Sequence, residues 1–340
     1  MKTTIKDIAR VMSVNVATVS RAMNNKPGVS ADLRRQILKK AAELHYMPSG
    51  QARGLVTQRT ETVGLVFDIE TSAFLSNPFY GGVLAGIESE LRRHSYSLMF
   101  SSTEGASLNS LADLPKFIME RRVDGIIVIG AVEAETLQLL REIQLPLLMV
   151  DYHLEDIPVD AVIVDNRRGG RMTAEYLLEL GHRKLGFVGG GPLDEGNFGE
   201  RLQGFKDALA NADITLMEDH IHGGRIEGGY DSTRKLLECH PETTGIVACN
   251  DANAFAAIRA VRAMGREVPA DISVVGFDDI AAAPENWPPL TTVRIDKKAL
   301  GRTAAQRLLQ KLKSEEPAPP HETVFPAELI VRESTAPPKS

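Results

Sequence analysis

Long apolar runs are missing from this chain: nowhere do 18 apolar residues follow one another, which excludes a membrane-spanning helix. The first ten residues carry Lys2, Lys6, Asp7 and Arg10 where a secretory leader needs an apolar core, so a cytoplasmic protein is expected. Cysteine is scarce. Only Cys239 and Cys249 occur, which suits a reducing compartment, and nothing requires a disulfide between them. Aromatics make up 5% of the residues, and no long block of like charge occurs. Signatures of catalysis are absent too. The glycines at 189–191 do not form the G-x-G-x-x-G that opens a dinucleotide-binding helix. No Ser/His/Asp order stands out. The eight histidines are scattered, and His220 and His222, alternating on an expected strand, have no third metal ligand close in sequence. No enzyme, no cofactor and no metal site are expected.

What is present begins with charge. The net charge of −6 hides a split, because residues 1–59 hold eleven Lys/Arg against three Asp/Glu, a local net of +8, leaving −14 on the rest. A basic head on an acidic body is the footprint of nucleic-acid binding confined to one end. That head contains two short amphipathic patterns. Ile5, Ile8, Ala9 and Met12 fall at helical spacing, and Val16, Val19, Ala22 and Met23 do so again. Thr4 with Asp7 predicts a capping box for the first helix, and Asn15 a cap for the second. Only Ser13-Val14 separates the two, so the helices must cross steeply, as in a helix-turn-helix. Ser30 then caps a third helix to about His45, with Leu33, Ile37, Leu38, Ala41 and Leu44 on one face. The headpiece is expected over 1–47. Residues 48–60 read as a linker: Gly50 and Gly54 each cost about 1 kcal/mol against alanine in a helix, so any turn here should order only when packed.

From Thr62 the chain alternates strand with helix. Apolar runs at 63–67, 97–100, 125–129, 146–150, 161–164, 184–188, 245–249 and 272–277 have the length of buried parallel strands. Amphipathic stretches lie between most of them, including 79–94, 111–121, 170–180, 201–212 and 252–264. Gly181 and Gly265 stand where helix C-terminal caps belong. The series is too long for one sheet of usual size and restarts near Ala161. The expected fold is therefore an all-α headpiece plus a two-lobed α/β domain over 61–334, each lobe a doubly wound parallel sheet. Lobe 1 is expected at about 61–160 and 291–320, lobe 2 at about 161–290 and 321–334, and a disordered tail at 335–340.

These motifs in order resemble the lactose-repressor (LacI) family of bacterial transcription regulators from about Thr4 to Ser334. They are TIKDIA…NVATVSRAMNN, the ARGL at Ala52–Leu55, LGHRKLGFVGG at 180–190, ERLQGF at 200–205, ADISVVGFDD at 270–279 and PPLTTV at 288–293. The resemblance implies a helix-turn-helix headpiece, a hinge helix and an effector domain similar to periplasmic sugar-binding proteins. It also implies homodimers on a pseudo-palindromic operator in double-stranded DNA, and a repressor of carbohydrate-use genes controlled by a small sugar-like effector. The implied DNA-binding residues are Thr4, Asn15, Val16, Ala17, Thr18, Ser20, Arg21, Asn24, Ser30, Ala52 and Leu55. Val16 and Ala17 fall on the family's specificity positions and are apolar, which favours close approach to thymine methyls. Arg21 can donate twice to a guanine, and Leu55 stands where members insert a leucine into the minor groove. Asn15 replaces the usual serine, and Ser13 the usual turn glycine.

An open α/β sheet binds ligands beyond the carboxyl ends of its strands. Phe79, Tyr80, Asp151, Tyr152, Asn250, Asp251, Asp278 and Asp279 fall there, with Arg201 on the helix after the glycine turn. The family's effector contacts coincide with Phe79, Asp151, Arg201, Asn250 and Asp278; Tyr80 and Tyr152 complete the expected set, while Asp251 and Asp279 read as helix caps. Carboxylates, an amide, an arginine and aromatic faces suit a polyhydroxylated ligand, with stacking supplied by Phe79, Tyr80, Tyr152, Phe198 or Trp287. Gly223-Gly224-Arg225 departs from an aromatic platform common in the family, and Asp194-Glu195 from the arginine of purine-sensing members, which disfavours a purine. A phosphorylated protein partner in place of a sugar is the alternative input. A transport-type sugar-binding protein would lack the basic headpiece. The chain carries no leucine-heptad tail, so no tetramer is expected.

Overall fold

The computed structural model describes residues 3–46, 59–105, 110–154, 156–190, 196–223, 228–314 and 318–339. The chain divides into two units, Met1–Thr60 and Glu61–Ser340. Among the described residues no helix is long and apolar enough to cross a membrane.

Among the described residues of the first unit there are three helices: α1 (Ile5–Met12), α2 (Val16–Met23) and α3 (Ala31–Glu43). Each begins at a side chain suited to orphan backbone donors. The Thr4–Asp7 capping box opens α1, the Asn15 carboxamide accepts from Ala17 N at 2.9 Å, and the Ser30 hydroxyl accepts from Leu33 N at 3.3 Å. Ser13 takes the left-handed conformation, φ 51°, that a glycine would take more easily, and Val14 N donates back to Ala9 O. The core is small: Ile8, Ala9, Val19, Ala22, Ile37 and Ala41, flanked by partly buried neighbours such as Met12, Leu33 and Leu44. Leu38, expected on the inward face, is 44% exposed; Ile37 beside it fills the core position, one residue being a 100° turn away.

In the second unit one sheet runs β11-β5-β4-β3-β1-β2 and the other β12-β10-β9-β8-β6-β7. Their strands are β1 (Thr62–Phe67), β2 (Ser97–Ser102), β3 (Gly125–Ile129), β4 (Leu147–Val150), β5 (Asp160–Val164), β6 (Leu185–Val188), β7 (Ile221–His222), β8 (Gly245–Ala248), β9 (Ser273–Asp278), β10 (Thr291–Arg294), β11 (Glu322–Phe325) and β12 (Glu328–Ile330). All ladders are parallel except β10–β12, an antiparallel edge. Helices cover them: α4 (Thr71–Ser76), α5 (Pro78–Arg93), α6 (Lys116–Met119), α7 (Ala134–Glu142), α8 (Asn166–Glu179), α9 (Gly196–Asn211), α10 (Gly229–Cys239), α11 (Asp251–Ala263) and α12 (Lys297–Lys313). Gly181 and Gly265 do cap α8 and α11 with positive φ, 98° and 74°.

The expected lobe boundaries move. Strand β5, assigned by position to lobe 2, pairs with β4 and β11 in the first sheet. Strand β10, assigned to lobe 1, pairs with β9 and β12 in the second. The chain therefore crosses between lobes three times, near Asp165, near Ile295 and at 326–327. Phe277, Val293 and Ile295 join the first lobe's apolar core at those crossings. The stretch 111–121 is no single helix either: Pro115, lacking an N–H, separates a 3-10 turn at Leu111–Asp113 from α6. The tail is held rather than loose. Thr335 pairs with the Tyr176 hydroxyl, Ala336 O accepts from Ser273 Oγ at 3.0 Å and lies 2.9 Å from His182 Nε2, and Lys339 meets Asp271.

Candidate functional site

Two groups of residues stand out, one in each unit. On α2, Val16, Ala17 and Arg21 are exposed while Val19 and Ala22 face the core. Val16 is 39% exposed although its residue type would favour burial. The helical period thus separates a packing face from a face of two small apolar groups and one guanidinium. Thr4, Asn15, Asn24 and Ser30 are also exposed; Thr18 and Ser20 are half-buried. Asn15 and Ser30 spend their side-chain oxygens on caps, and Asn24 donates to Ser20 O at 2.9 Å. Ala52 and Leu55 lie outside the described residues.

The second group lies where the carboxyl ends of the two sheets face each other. Lobe 1 supplies Phe79 and Tyr80 from the start of α5 and Asp151 and Tyr152 after β4. Lobe 2 supplies Arg201 from α9, Asn250 after β8 and Asp278 at the end of β9. Arg201 is 3% exposed and is the centre of the group. Its Nε donates to Asn166 Oδ1 at 2.9 Å, its Nη1 to Cys249 O at 2.6 Å, and Nη1 stands 3.4 Å from Asp278 Oδ1. Its guanidinium carbon sits 3.7 Å from the Phe277 ring centroid and 5.5 Å from that of Phe198.

Asp151 and Asp278 come from opposite lobes and share an unusual state. Both are buried, both hold positive φ, 64° and 108°, and each has an Oδ1 without a hydrogen-bond partner within the described chain. Burial pushes the Asp151 carboxyl up to about 7 and the Asp278 carboxyl up to about 6, while the Arg201 guanidinium pulls both back down. Left-handed backbone at a non-glycine residue and an unsatisfied buried acceptor each cost of order 1–3 kcal/mol. Two such costs at one place mark a site organised for something other than stability. Tyr80, half-buried beside them, has its hydroxyl proton held tightly by desolvation and by the two nearby carboxylates, so it stays a donor. The rings of Phe74 and Tyr80 are stacked with centroids 5.2 Å apart, and Phe79 meets Tyr80 edge-on at 5.5 Å.

The remaining expected residues divide. Asn250 is half-buried, and its Oδ1 caps α11 by accepting from Asn253 N at 2.9 Å. Tyr152 is half-buried, close enough to the start of α9 that a Cβ on Gly196 would lie 2.6 Å from its ring. Asp251 and Asp279 are structural, but not as caps. Asp251 accepts from Ile280 N and Thr292 Oγ1, tying the start of α11 to the turn after β9 and to β10, and Asp279 pairs with Arg294 and Arg332 at 2.7 Å each. Trp287 is 74% exposed and supplies no enclosed stacking face. The departures at 194–195 and 224–225 lie outside the described residues. Gly223 is required where it stands: its φ is 133° and a Cβ would fall 2.8 Å from Gly189 N.

Three residues escaped the sequence reading. Asn166 links Arg201 to Asn197, and Asn197 Nδ2 donates to the Asp151 carbonyl at 2.7 Å, so a chain of side chains spans the two lobes. Lys297 Nζ donates to the backbone carbonyls of Asp278 and Asp279. Asn166 lies two residues past β5, opening α8, and the rule that picked out Asp151 would have found it; Lys297 gives no local signal because its partners lie 18 and 19 residues away.

The profile of "Bacterial regulatory proteins, lacI family" matches residues 4–49, and that of "Periplasmic binding protein-like domain" matches residues 174–335. The ribose operon repressor of Haemophilus influenzae is 33% identical over 92% of this chain and 92% of its own. A repressor named PurR from Aliivibrio salmonicida is 34% identical over 91% of this chain and 92% of its own. The crystal structure of the lac repressor dimer bound to operator and the anti-inducer ONPF superposes with a TM-score of 0.85 at 26% identity, covering 99% of this chain and all of that one.

Proposed function

This chain belongs to the LacI family of bacterial transcription regulators, and from that premise we propose that it represses a carbohydrate-use operon as a homodimer on a pseudo-palindromic operator. Arg21, Val16 and Ala17 read base edges, Thr18 and Ser20 with Thr4, Asn15, Asn24 and Ser30 fix the headpiece on the backbone, and Ala52 and Leu55 act in the minor groove. Exposure of Arg21 beside two apolar side chains on a rigidly capped helix supports this assignment.

The effector is a sugar or sugar derivative. The observation that carries this reading is the pair of buried carboxylates, Asp151 and Asp278, one on each lobe, each with an oxygen that accepts no hydrogen bond within the described chain, with Arg201 Nη1 3.4 Å from Asp278 Oδ1. Carboxylate oxygens accept from hydroxyl donors, and a polyol brings several donors at once. Phe79, Tyr80 and Tyr152 supply apolar faces, and Asn250 an amide at the rim. A ligand touching both lobes favours one inter-lobe arrangement over others, and DNA and ligand are then coupled by one reciprocal free energy.

Calorimetric titration of the full chain with mono- and disaccharides, beginning with ribose, tests this, with purine bases as the competing arm. Saturable binding of a sugar that Asp151→Asn weakens about tenfold or more is the expected result, the loss of a charge-assisted hydrogen bond being worth roughly 1.5–3 kcal/mol. Binding of a purine with no sugar response would overturn the ligand class.

A further inference from the structure

His220 stands beside Asp219 in the sequence, and the fold brings a second imidazole, His240, to that pair. A 3-10 turn at Glu218–His220 leads into the edge strand β7, and helix α10 ends at His240, which caps it. These two segments meet at the start of the strands in lobe 2, opposite the end that faces the cleft. The imidazoles of His220 and His240 stack with centroids 3.8 Å apart and planes 18° from parallel. His220 Nδ1 is 3.2 Å from Asp219 Oδ1, and His240 Nε2 is 3.3 Å from Asp219 Oδ2. Both nitrogens are buried, and neither makes a hydrogen bond. On the other side of its ring, His240 Nδ1 faces Glu242 Oε1 at 3.6 Å.

This arrangement is poorly matched to protons. Two imidazolium rings stacked with centroids 3.8 Å apart would repel each other. With its proton on Nδ1 toward Glu242, His240 would turn an Nε2 lone pair toward the Asp219 carboxylate, an acceptor facing an acceptor. A cation removes that conflict, and one ligand atom from each of Asp219, His220 and His240 lies within 4.8 Å of the others.

We propose that His220 Nδ1, His240 Nε2 and an Asp219 carboxylate oxygen bind a divalent transition-metal ion of the zinc type, with Glu242 orienting His240 from behind. Two imidazoles and one carboxylate suit zinc and its neighbours rather than calcium or magnesium, which take oxygen ligands. Zinc–nitrogen bonds of about 2.0–2.1 Å require the two stacked rings to rotate apart until both lone pairs converge on the ion. The carboxylate–histidine–metal relay through Glu242 is the usual way in which such a ring is fixed. Three protein ligands leave a fourth position for water. The ion staples edge strand β7 to the end of α10, and because it binds the folded arrangement it raises the melting temperature of the chain.

Equilibrium dialysis of the full chain against zinc chloride, with the visible spectrum of the cobalt(II)-loaded chain, tests this. One zinc per chain at micromolar free metal and cobalt bands typical of nitrogen ligation are expected. Asp219→Asn, at a side chain 63% exposed, leaves the metal-free melting temperature unchanged and abolishes the site, as does His240→Gln. Glu242→Gln keeps the stoichiometry and weakens affinity roughly tenfold. No zinc retained by the wild-type chain, or equal retention by Asp219→Asn and His240→Gln, would overturn the proposal.

Discussion

Arg21 stands exposed on a helix whose other face is locked into a core by Val19 and Ala22, so its replacement disturbs little else. Arg21→Ala is expected to cost about 1–3 kcal/mol of operator binding and to relax preference at one base pair. Binding to a set of single-base operator variants checks this; a loss equal for all sequences would place Arg21 on phosphate instead. In the cleft, protonation is the variable to exploit. Asp151 and Asp278 are raised to about 7 and about 6, so both are substantially protonated near pH 5 and ionised near pH 8. Ligand hydroxyls that donate to carboxylates favour the ionised form. Sugar affinity is therefore expected to rise across that window, with protons released on binding, as calorimetry in buffers of different ionisation enthalpy reports. The unliganded chain behaves in the opposite sense. A raised folded-state value means that these groups contribute stability that is full below pH 4 and is lost progressively between about pH 4 and the folded values of about 6 and 7, so the melting temperature should fall across that interval while saturating ligand counteracts the fall.

Among the elements, the helix pairs matter most because they carry the site residues at close range. Helices α8 and α9 cross at glycines: a Cβ on Gly170 would lie 1.9 Å from Arg201 O, and one on Gly204 1.8 Å from Arg167 O. Helices α5 and α12 repeat the device in lobe 1, where a Cβ on Gly86 would lie 2.2 Å from Lys298 O. Gly170→Ala is expected to destabilise the chain by about 1–3 kcal/mol and also to weaken sugar binding, because the clash falls on Arg201 itself. Gly86→Ala, with its clash at Lys298, should destabilise to a similar degree while leaving sugar binding nearer normal. Denaturant melts and calorimetry on the two variants separate these effects. Most elements were legible in the sequence, because amphipathic spacing, Ser30, Asn15 and the glycines at 181 and 265 are local signals. Leu38 was misplaced because one residue rotates a side chain by 100° on a short helix. The stretch 111–121 was overextended because the break at Pro115 was given too little weight.

At the scale of the whole molecule, the same distinction between local and distant signals explains what could be read. The position of β5 is legible but not its sheet, since its partner β11 is about 160 residues away. The site residues Asp151, Arg201 and Asp278 were within reach because they follow strands or a recognisable turn, whereas Lys297 and the His220–His240 pair depend on contacts that only the fold creates. The division at residue 60 predicts that removing residues 1–60 abolishes operator binding and leaves sugar affinity within about twofold, a margin below 0.5 kcal/mol; retained operator binding would contradict the assignment of the basic head. The central claim is that the Arg201–Asp151–Asp278 cleft governs what the headpiece does. Its most direct test is the operator dissociation constant of the wild-type chain and of Asp278→Asn, each measured with and without a sugar that binds the wild type. The account predicts that the sugar shifts the wild-type constant by at least about fivefold, the lower range of allosteric couplings, and that the variant holds its operator affinity but no longer responds. An equal shift in both proteins, or no shift in either, would contradict it.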